Sequence, residues 1–326
     1  MRVLVTGANG LLGHHVVFEL LKNTYEVRII VRSTQNIYFD LKSVEVFEGN
    51  FDNYETLRQA ADGCDAIIHI AAVTATNLLN YEDYRRINLD GSAQIISVAN
   101  KLIINRLVFI STANTIGFGA KNELADETLP IQLPFSESFY ARSKVEAERL
   151  FVEASLLPNR HVIIINPSFL IGAYDTKPSS GKLMLMGYKK PLMIAPRGGK
   201  NFVAASDVAT AVCNALTQGK NGERYLASGV NLLFKEFYKL QKEAVGYKQA
   251  LIQLPDFLLI VLGRLGDVIR KFGIKTEIYS MNLRQLLVQE YYSNAKAKLD
   301  LSMPQTELKK AVQEAISWFK ENGMVK

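Results

Sequence analysis

Arg2-Val-Leu-Val-Thr-Gly7-Ala-Asn-Gly10-Leu-Leu-Gly13 is a short apolar strand running straight into three spaced glycines. A backbone that cradles a pyrophosphate needs this order. Gly7 takes the tight turn, Gly10 leaves no side chain in the way of a phosphate, and Gly13 lets the next helix lie close. The start of that helix then offers free N–H groups and a partial positive charge to the anion. A nucleotide cofactor is the first expectation. The spacing, Gly-x-x-Gly-x-x-Gly, differs from the Gly-x-Gly-x-x-Gly of many dehydrogenases.

Strand and helix signals alternate from there. Strands are expected at Val3–Thr6, Val27–Val31, Val44–Phe47, Ala66–Ile70, Leu107–Ile110 and Val162–Ile165, and helices at Gly13–Lys22, Tyr54–Ala61, Tyr84–Asn100 and Phe139–Glu153. Apolar strands separated by helices imply an α/β fold, a Rossmann-type doubly wound parallel sheet with its ligand crevice at the carboxyl ends of the strands. Past residue 170 the rhythm loosens, and Pro178, Ser179, Ser180, Gly181, Pro191 and Pro196 punctuate the chain. A smaller, mostly helical substrate-binding lobe is expected in 170–195 and 225–295. The nucleotide-binding domain takes 1–169 with 196–224. The segment 296–326, with an amphipathic helix over Thr306–Asn322, packs back on the body.

Composition narrows the class. The 326 residues carry a formal charge of +6, with no basic cluster dense enough for nucleic acid. Cys64 and Cys213 alone imply no disulfide framework and fit a reducing compartment. The strand at residue 2 leaves no room for a signal peptide, so a cytoplasmic protein is expected. Phe257–Gly263 is too short to span a bilayer, which predicts no integral membrane segment. The histidines, at 14, 15, 69 and 161, form no metal constellation.

The second strand bears on the cofactor. It ends Val31-Arg32-Ser33 where an acidic residue would bind a ribose 2′-hydroxyl. Arg32 suits a 2′-phosphate instead, which favours NADP over NAD. Asp52, after the third strand, suits the adenine amino group or a helix N-cap. Ala71 and Ala72 let the backbone approach a ribose.

Tyr140-Ala-Arg-Ser-Lys144 puts a phenol and an ammonium on one helix face, where Lys144 is expected to lower the Tyr140 pKa for proton transfer to a carbonyl. Tyr38/Lys42, Tyr238/Lys242 and Tyr292/Lys296 share the spacing. Only Tyr140 follows a strand ending in hydroxyls, Ser111-Thr112-Ala113-Asn114. Thr112 is placed to orient the substrate oxygen, with Ser111 the alternative. Asn88 either holds a water or backbone, or satisfies a neighbouring carbonyl within its helix.

Together these motifs resemble the extended short-chain dehydrogenases/reductases, which include nucleotide-sugar epimerases and dehydratases. Thr6–Gly13, Ala71-Ala72, Ser111-Thr112, Tyr140-x-x-x-Lys144, Asn166-Pro167-Ser168, the segment Lys200–Ala209 with its Asp207-Val-Ala, Ser293–Lys296 and Trp318-Phe319 fall in the family's order. The resemblance implies Thr112, Tyr140 and Lys144 as the catalytic set. It implies a cofactor held by Gly7, Asn9, Gly10, Leu11, Leu12, Gly13, Arg32, Phe51, Asp52, Ala71, Ala72, Ser111, Pro167 and Ser168, with Tyr140 and Lys144. It places Thr74, Asn114 and Phe169 on the substrate side, needs no metal, and implies a homodimer through the helices near Tyr84–Asn100 and Phe139–Glu153. Arg32 and Asn166–Pro178 are most similar to the dihydroflavonol-reductase-like branch, which implies NADPH-dependent reduction of a small-molecule carbonyl, a ketone or aldehyde. Ala113 and Asn114 after Thr112 argue against dehydration. Lys189, Lys190, Arg197 and Lys200 leave a diphosphate clamp, and so a nucleotide-sugar epimerase, as the alternative. A nonenzymatic NADP-sensing protein is the reading from another class, which the intact Tyr140/Lys144 pair disfavours.

Overall fold

A computed structural model describes residues 1–178 and 180–325. Ser179, in the expected loop, and Lys326, at the end of the tail segment, lie outside the described residues. The first half contains β1 (Arg2–Thr6), α1 (Leu11–Lys22), β2 (Glu26–Val31), β3 (Glu45–Glu48), α2 (Tyr54–Ala61), β4 (Ala66–His69), α3 (Tyr81–Tyr84), α4 (Gly91–Lys101), β5 (Arg106–Ile110), α5 (Phe139–Ser155) and β6 (His161–Pro167). The second half contains β7 (Phe169–Ile171), α6 (Gly181–Gly187), β8 (Leu192–Ala195), β9 (Gly199–Ala204), α7 (Ala205–Asn214), β10 (Arg224–Ala227), β11 (Val230–Leu233), α8 (Phe234–Val245), β12 (Ala250–Gln253), α9 (Asp256–Lys271), α10 (Ser280–Gln285), β13 (Gln289–Glu290), α11 (Ala295–Leu301) and α12 (Leu308–Glu321).

Among the described residues the main sheet has seven parallel strands in the order β10-β6-β5-β4-β1-β2-β3. Its inner strands are buried because helices cover both faces, while the edge strand β3 is half-exposed. Val3, Val5, Ile29, Ile68 and Ile163 pack with Val16, Leu20, Val208 and Val212 on one side. Leu4, Ile67, Leu107 and Ile164 pack with Leu57, Ile95, Val98 and Phe151 on the other. Period-2 alternation of two core faces explains why these strands read as continuous apolar runs. The direction of winding reverses between β1 and β4, and a crevice opens beyond their carboxyl ends.

Two differences from the sequence reading have local causes. The helix expected over Tyr84–Asn100 is three pieces, α3, a wider π turn over Arg85–Asp90, and α4. The N-cap of α2 is Asn53, whose side chain accepts from the Thr56 N–H at 3.0 Å, so Asp52 does not cap it. The expected division put residues 196–224 in the nucleotide-binding half. There α7 packs on α1 and β10 closes the main sheet, while β9 pairs with β7, β11 and β13 in a separate four-stranded sheet. That sheet, the β8/β12 pair, α6, α8 and α12 enclose a third core around Phe202, Phe237, Tyr238 and Phe319.

Candidate active site

Each of the three opening glycines sits against different surroundings. Gly7 has φ +75°, and a Cβ there would come within 2.7 Å of the Ala71 N. The turn after β1 therefore crosses directly over the end of β4. A Cβ on Gly13 would lie 2.1 Å from the Gly7 O, so α1 closes onto the turn rather than onto the strand. Gly10 is exposed, and its nearest obstacle is the Gly7 O at 3.4 Å. No side chain caps the start of α1 at Gly10. Leu11 and Leu12 bury their side chains, while Asn9 is exposed. An open, uncapped helix start behind a bare glycine fits a dinucleotide pyrophosphate.

A buried relay holds the crevice wall. Thr6 Oγ1 accepts from the Ile70 and Ala71 N–H groups, each at 3.2 Å, so its own proton goes to His69 Nδ1 at 2.8 Å. His69 Nε2 then donates to Ser92 Oγ at 3.3 Å, and Ser92 donates to the Asn88 carbonyl at 2.6 Å. Burial holds His69 down to about 3, so it works as a neutral spacer. Asn88 settles the choice left open above: its amide accepts from the Val73 N–H at 2.7 Å and donates to the Val73 carbonyl and to Ser143 Oγ. It thus ties the Ala71–Thr74 segment to α5. Ser143 in turn donates to the Tyr140 carbonyl at 2.7 Å. The relay was missed because its members are spread over four elements; the single hint was a polar Asn88 inside an amphipathic helix.

At the end of β5, Thr112 hydrogen-bonds the Tyr140 hydroxyl. Burial pushes Tyr140 up to about 12, with the Thr112 hydrogen bond pulling it back. This is the reverse of the lowering expected from Lys144. The Lys144 ammonium is turned away, donating to the Ile110 carbonyl at 2.6 Å and lying 4.2 Å from the Phe109 ring centroid. Burial brings Lys144 itself down to about 7, opposed by the Glu148 carboxylate one turn along α5. Glu148, also missed, accepts from the Thr115 hydroxyl and the Asn166 amide, each at 2.6 Å, and faces Arg224. Its signal was an acid at i+4 from Lys144. The other Tyr/Lys pairs have separate duties. Lys242 donates to the Gln249 carbonyl, Lys296 pairs with Glu223, and Tyr38 bonds Asn322.

The remaining predicted residues scatter around this crevice. Ser111 is buried, and its hydroxyl has no partner among the described residues. An orphaned hydroxyl beside Thr112 is a donor that a bound cofactor would satisfy. Arg32 is exposed at the end of β2 with no carboxylate partner among the described residues. Phe51 turns inward, its ring against Gly91 and His69, and so is packed as core. Asp52 is half-buried and Thr74 exposed. Pro167 ends β6. Ser168 donates to Asn201 Oδ1 at 2.6 Å, and Phe169 packs edge-on to Phe202. Asn114 donates its N–H to Thr112 Oγ1. His14, read only as a non-ligand, bridges the Gly10 carbonyl and the Tyr38 N–H.

Lys200 is not available as an anion clamp. Its ammonium is ion-paired with buried Glu290 between the rings of Phe135 and Phe169. Arg197 faces Asp256 at 3.7 Å. A cavity of about 280 Å³ lies beside α5, lined by Leu78, Leu79, Tyr84, Glu137, Ser138, Phe139, Arg270, Tyr279 and Met281. The Arg270 guanidinium there is spent on the Asn77 and Leu78 carbonyls.

The sequence pattern of the NAD dependent epimerase/dehydratase family matches residues 3–228. The chain belongs to this family. It is an extended short-chain dehydrogenase/reductase and an NAD(P)-dependent oxidoreductase, and its main sheet is the family's Rossmann-type sheet. A Synechocystis protein with a provisional dihydroflavonol 4-reductase name is 27% identical over 99% of this chain and 95% of its own length. A Stigmatella aurantiaca protein named 4-hydroxy-2-methyl-3-oxo-4-farnesyl-3,4-dihydroquinoline-1-oxide ketoreductase is 28% identical over 82% of this chain and 80% of its own. The solved structure of gox2253 superposes with a TM-score of 0.84 at 27% identity, covering 100% of this chain and 99% of that one. Among the described residues no helix is long and apolar enough to cross a membrane, and no group of His, Cys, Asp and Glu could hold a metal ion.

Proposed function

We propose that this oxidoreductase uses NADP(H) to reduce an apolar ketone or aldehyde, with Tyr140 as proton donor. The observation that carries the reading is the paired Thr112 and Tyr140 hydroxyls next to a mainly apolar cavity whose one lining cation among the described residues, Arg270, is already engaged. A nucleotide-sugar diphosphate needs free cations there, and Arg270 already donates to the Asn77 and Leu78 carbonyls. The Stigmatella relative's name describes a ketone bearing a farnesyl chain, which agrees in kind.

Hydride for the substrate carbon would be supplied by a bound nicotinamide dinucleotide. Gly7, Gly10 and Gly13 would hold its pyrophosphate, Arg32 its 2′-phosphate, and Ser111, Pro167 and Ser168 its nicotinamide end. Thr112 donates a hydrogen bond to the substrate oxygen and fixes it against Tyr140. Tyr140 is protonated at neutral pH, so it enters the step as an acid and gives its Oη proton to the forming alkoxide. Lys144 braces the end of β5 through Ile110, its Nζ seated against the ring of Phe109. The homodimer through α4 and α5 belongs to the same reading.

An NADPH-oxidation screen over apolar ketones, aldehydes, UDP-sugars and GDP-sugars tests it. Turnover of the ketones or aldehydes, with NADPH preferred to NADH, is expected. Interconversion of a nucleotide sugar without net NADPH consumption would replace the reductase with an epimerase.

A further inference from the structure

Helix α9 faces the wrong way for a helix of a self-contained globule. Its buried side is made of Gly263 and Gly266. A Cβ on Gly266 would sit 1.6 Å from the Ile278 carbonyl, and one on Gly263 2.9 Å from the Ser280 Cα, so backbone meets backbone there. Phe257, Val261, Leu265, Val268 and Phe272 are spaced by four, four, three and four residues, which stacks them in one stripe. At about 100° per residue that stripe lies opposite the two glycines. Phe257 is 62% exposed, Leu265 57% and Phe272 79%. An amphipathic surface helix normally turns its apolar stripe inward. Ahead of α9, the register partners Ile194 and Ile252 on the β8/β12 pair are exposed as well.

Among the described residues, the exposed charges beside the stripe without an ion-pair partner are basic. Arg264 and Lys271 flank one edge of it, and Lys275 follows; all three are exposed. The nearby acids are engaged elsewhere. Asp267 accepts the Ser280 N–H, Glu277 pairs with Lys182, and Asp256 faces Arg197. An apolar stripe edged by basic side chains, on a helix too short to span, complements an anionic interface with an acyl layer beneath.

We infer that α9 is an interfacial helix that seats this protein on an anionic phospholipid bilayer through Phe257, Val261, Leu265, Val268 and Phe272, with Arg264 and Lys271 at the headgroups. The inner side of the same helix carries Arg270, which lines the cavity beside α5. A bilayer-dissolved compound would therefore meet the enzyme at the helix that walls its cavity. The docking face stands independently of the reductase reading.

Sedimentation of the full chain with phosphatidylcholine vesicles, with and without phosphatidylglycerol, tests this. The protein should pellet with the phosphatidylglycerol vesicles, and salt should weaken the association. Val261→Glu/Leu265→Glu should lose binding by more than about tenfold. Its unfolding temperature should hold, because both side chains face solvent. Arg264→Gln/Lys271→Gln, which leaves the apolar stripe whole, should weaken binding about thirtyfold on the anionic vesicles alone. Failure to pellet, or pelleting of the Val261→Glu/Leu265→Glu chain like the wild type, overturns the proposal. So does light scattering showing a dimer that this double substitution dissociates, since the face would then belong to a second copy.

Discussion

The turn after β1 and the helix α9 both place glycines three residues apart against backbone, with opposite results. At Gly7 and Gly13 the close approach, with Gly10 bare between them, strips side chains from around a helix start and leaves its N–H groups bare. At Gly263 and Gly266 it seats the helix on residues 278–280 and sends every large apolar side chain of the stripe outward. One site leaves backbone N–H groups open, as an anion needs; the other leaves apolar side chains in solvent. The same residue type and spacing thus say little until the packing partner is known.

Substitutions can break that contrast apart. The largest effect is expected at the chemistry, which neither glycine set supplies: Tyr140→Phe should lower kcat/KM about 10²- to 10⁴-fold while NADPH binding, measured by fluorescence, holds. Retained turnover would remove Tyr140 as the acid. Next come the glycines themselves. Gly13→Ala should cost about 3 kcal/mol of stability through overpacking and should weaken NADPH binding, since Gly7 must move. Gly266→Ala should cost a similar amount yet leave NADPH affinity unchanged. Loss of NADPH binding in Gly266→Ala would show the two ends to be coupled.

A third difference is electrostatic. Lys144 is buried with its pKa brought from 10.5 to about 7, so between those values the unfolded chain holds more protons than the folded one. Stability attributable to Lys144 should therefore rise with pH across that window, the full penalty being felt below about 7. The unfolding temperature of the wild type should gain on that of Lys144→Met between about pH 7 and pH 9. A constant gap would show that Lys144 keeps its solution pKa. The smallest effect is expected at the exposed rim, where Arg32→Ala should weaken NADPH binding by about tenfold or more and leave NADH almost unchanged. Equal loss for both cofactors would withdraw the 2′-phosphate role.

The nucleotide end was legible because its requirements are local. A strand, a turn and a helix start lie within twelve residues, and Ala71-Ala72, Ser111-Thr112 and Tyr140/Lys144 each follow their own strand or open their own helix. The pKa order was not legible. Helical spacing puts Lys144 on the Tyr140 face, but the ammonium finds the Ile110 carbonyl and the Phe109 ring, which come from another element. Lys200 looked free for the same reason, since Glu290 lies ninety residues away. His69 and Asn88 read as separate residues, and Ser92 drew no reading, until the sheet brought the three into one relay.

The sequence alone determined the Rossmann-type sheet, the glycine turn and the positions of Thr112, Tyr140 and Lys144, because strand period, helix period and turn chemistry act over a few neighbouring residues. Tertiary structure decided which cations remain free, which hydroxyl lacks a partner and which side of α9 meets solvent. Each of those depends on what a distant segment places within a few ångströms, and no local pattern encodes it.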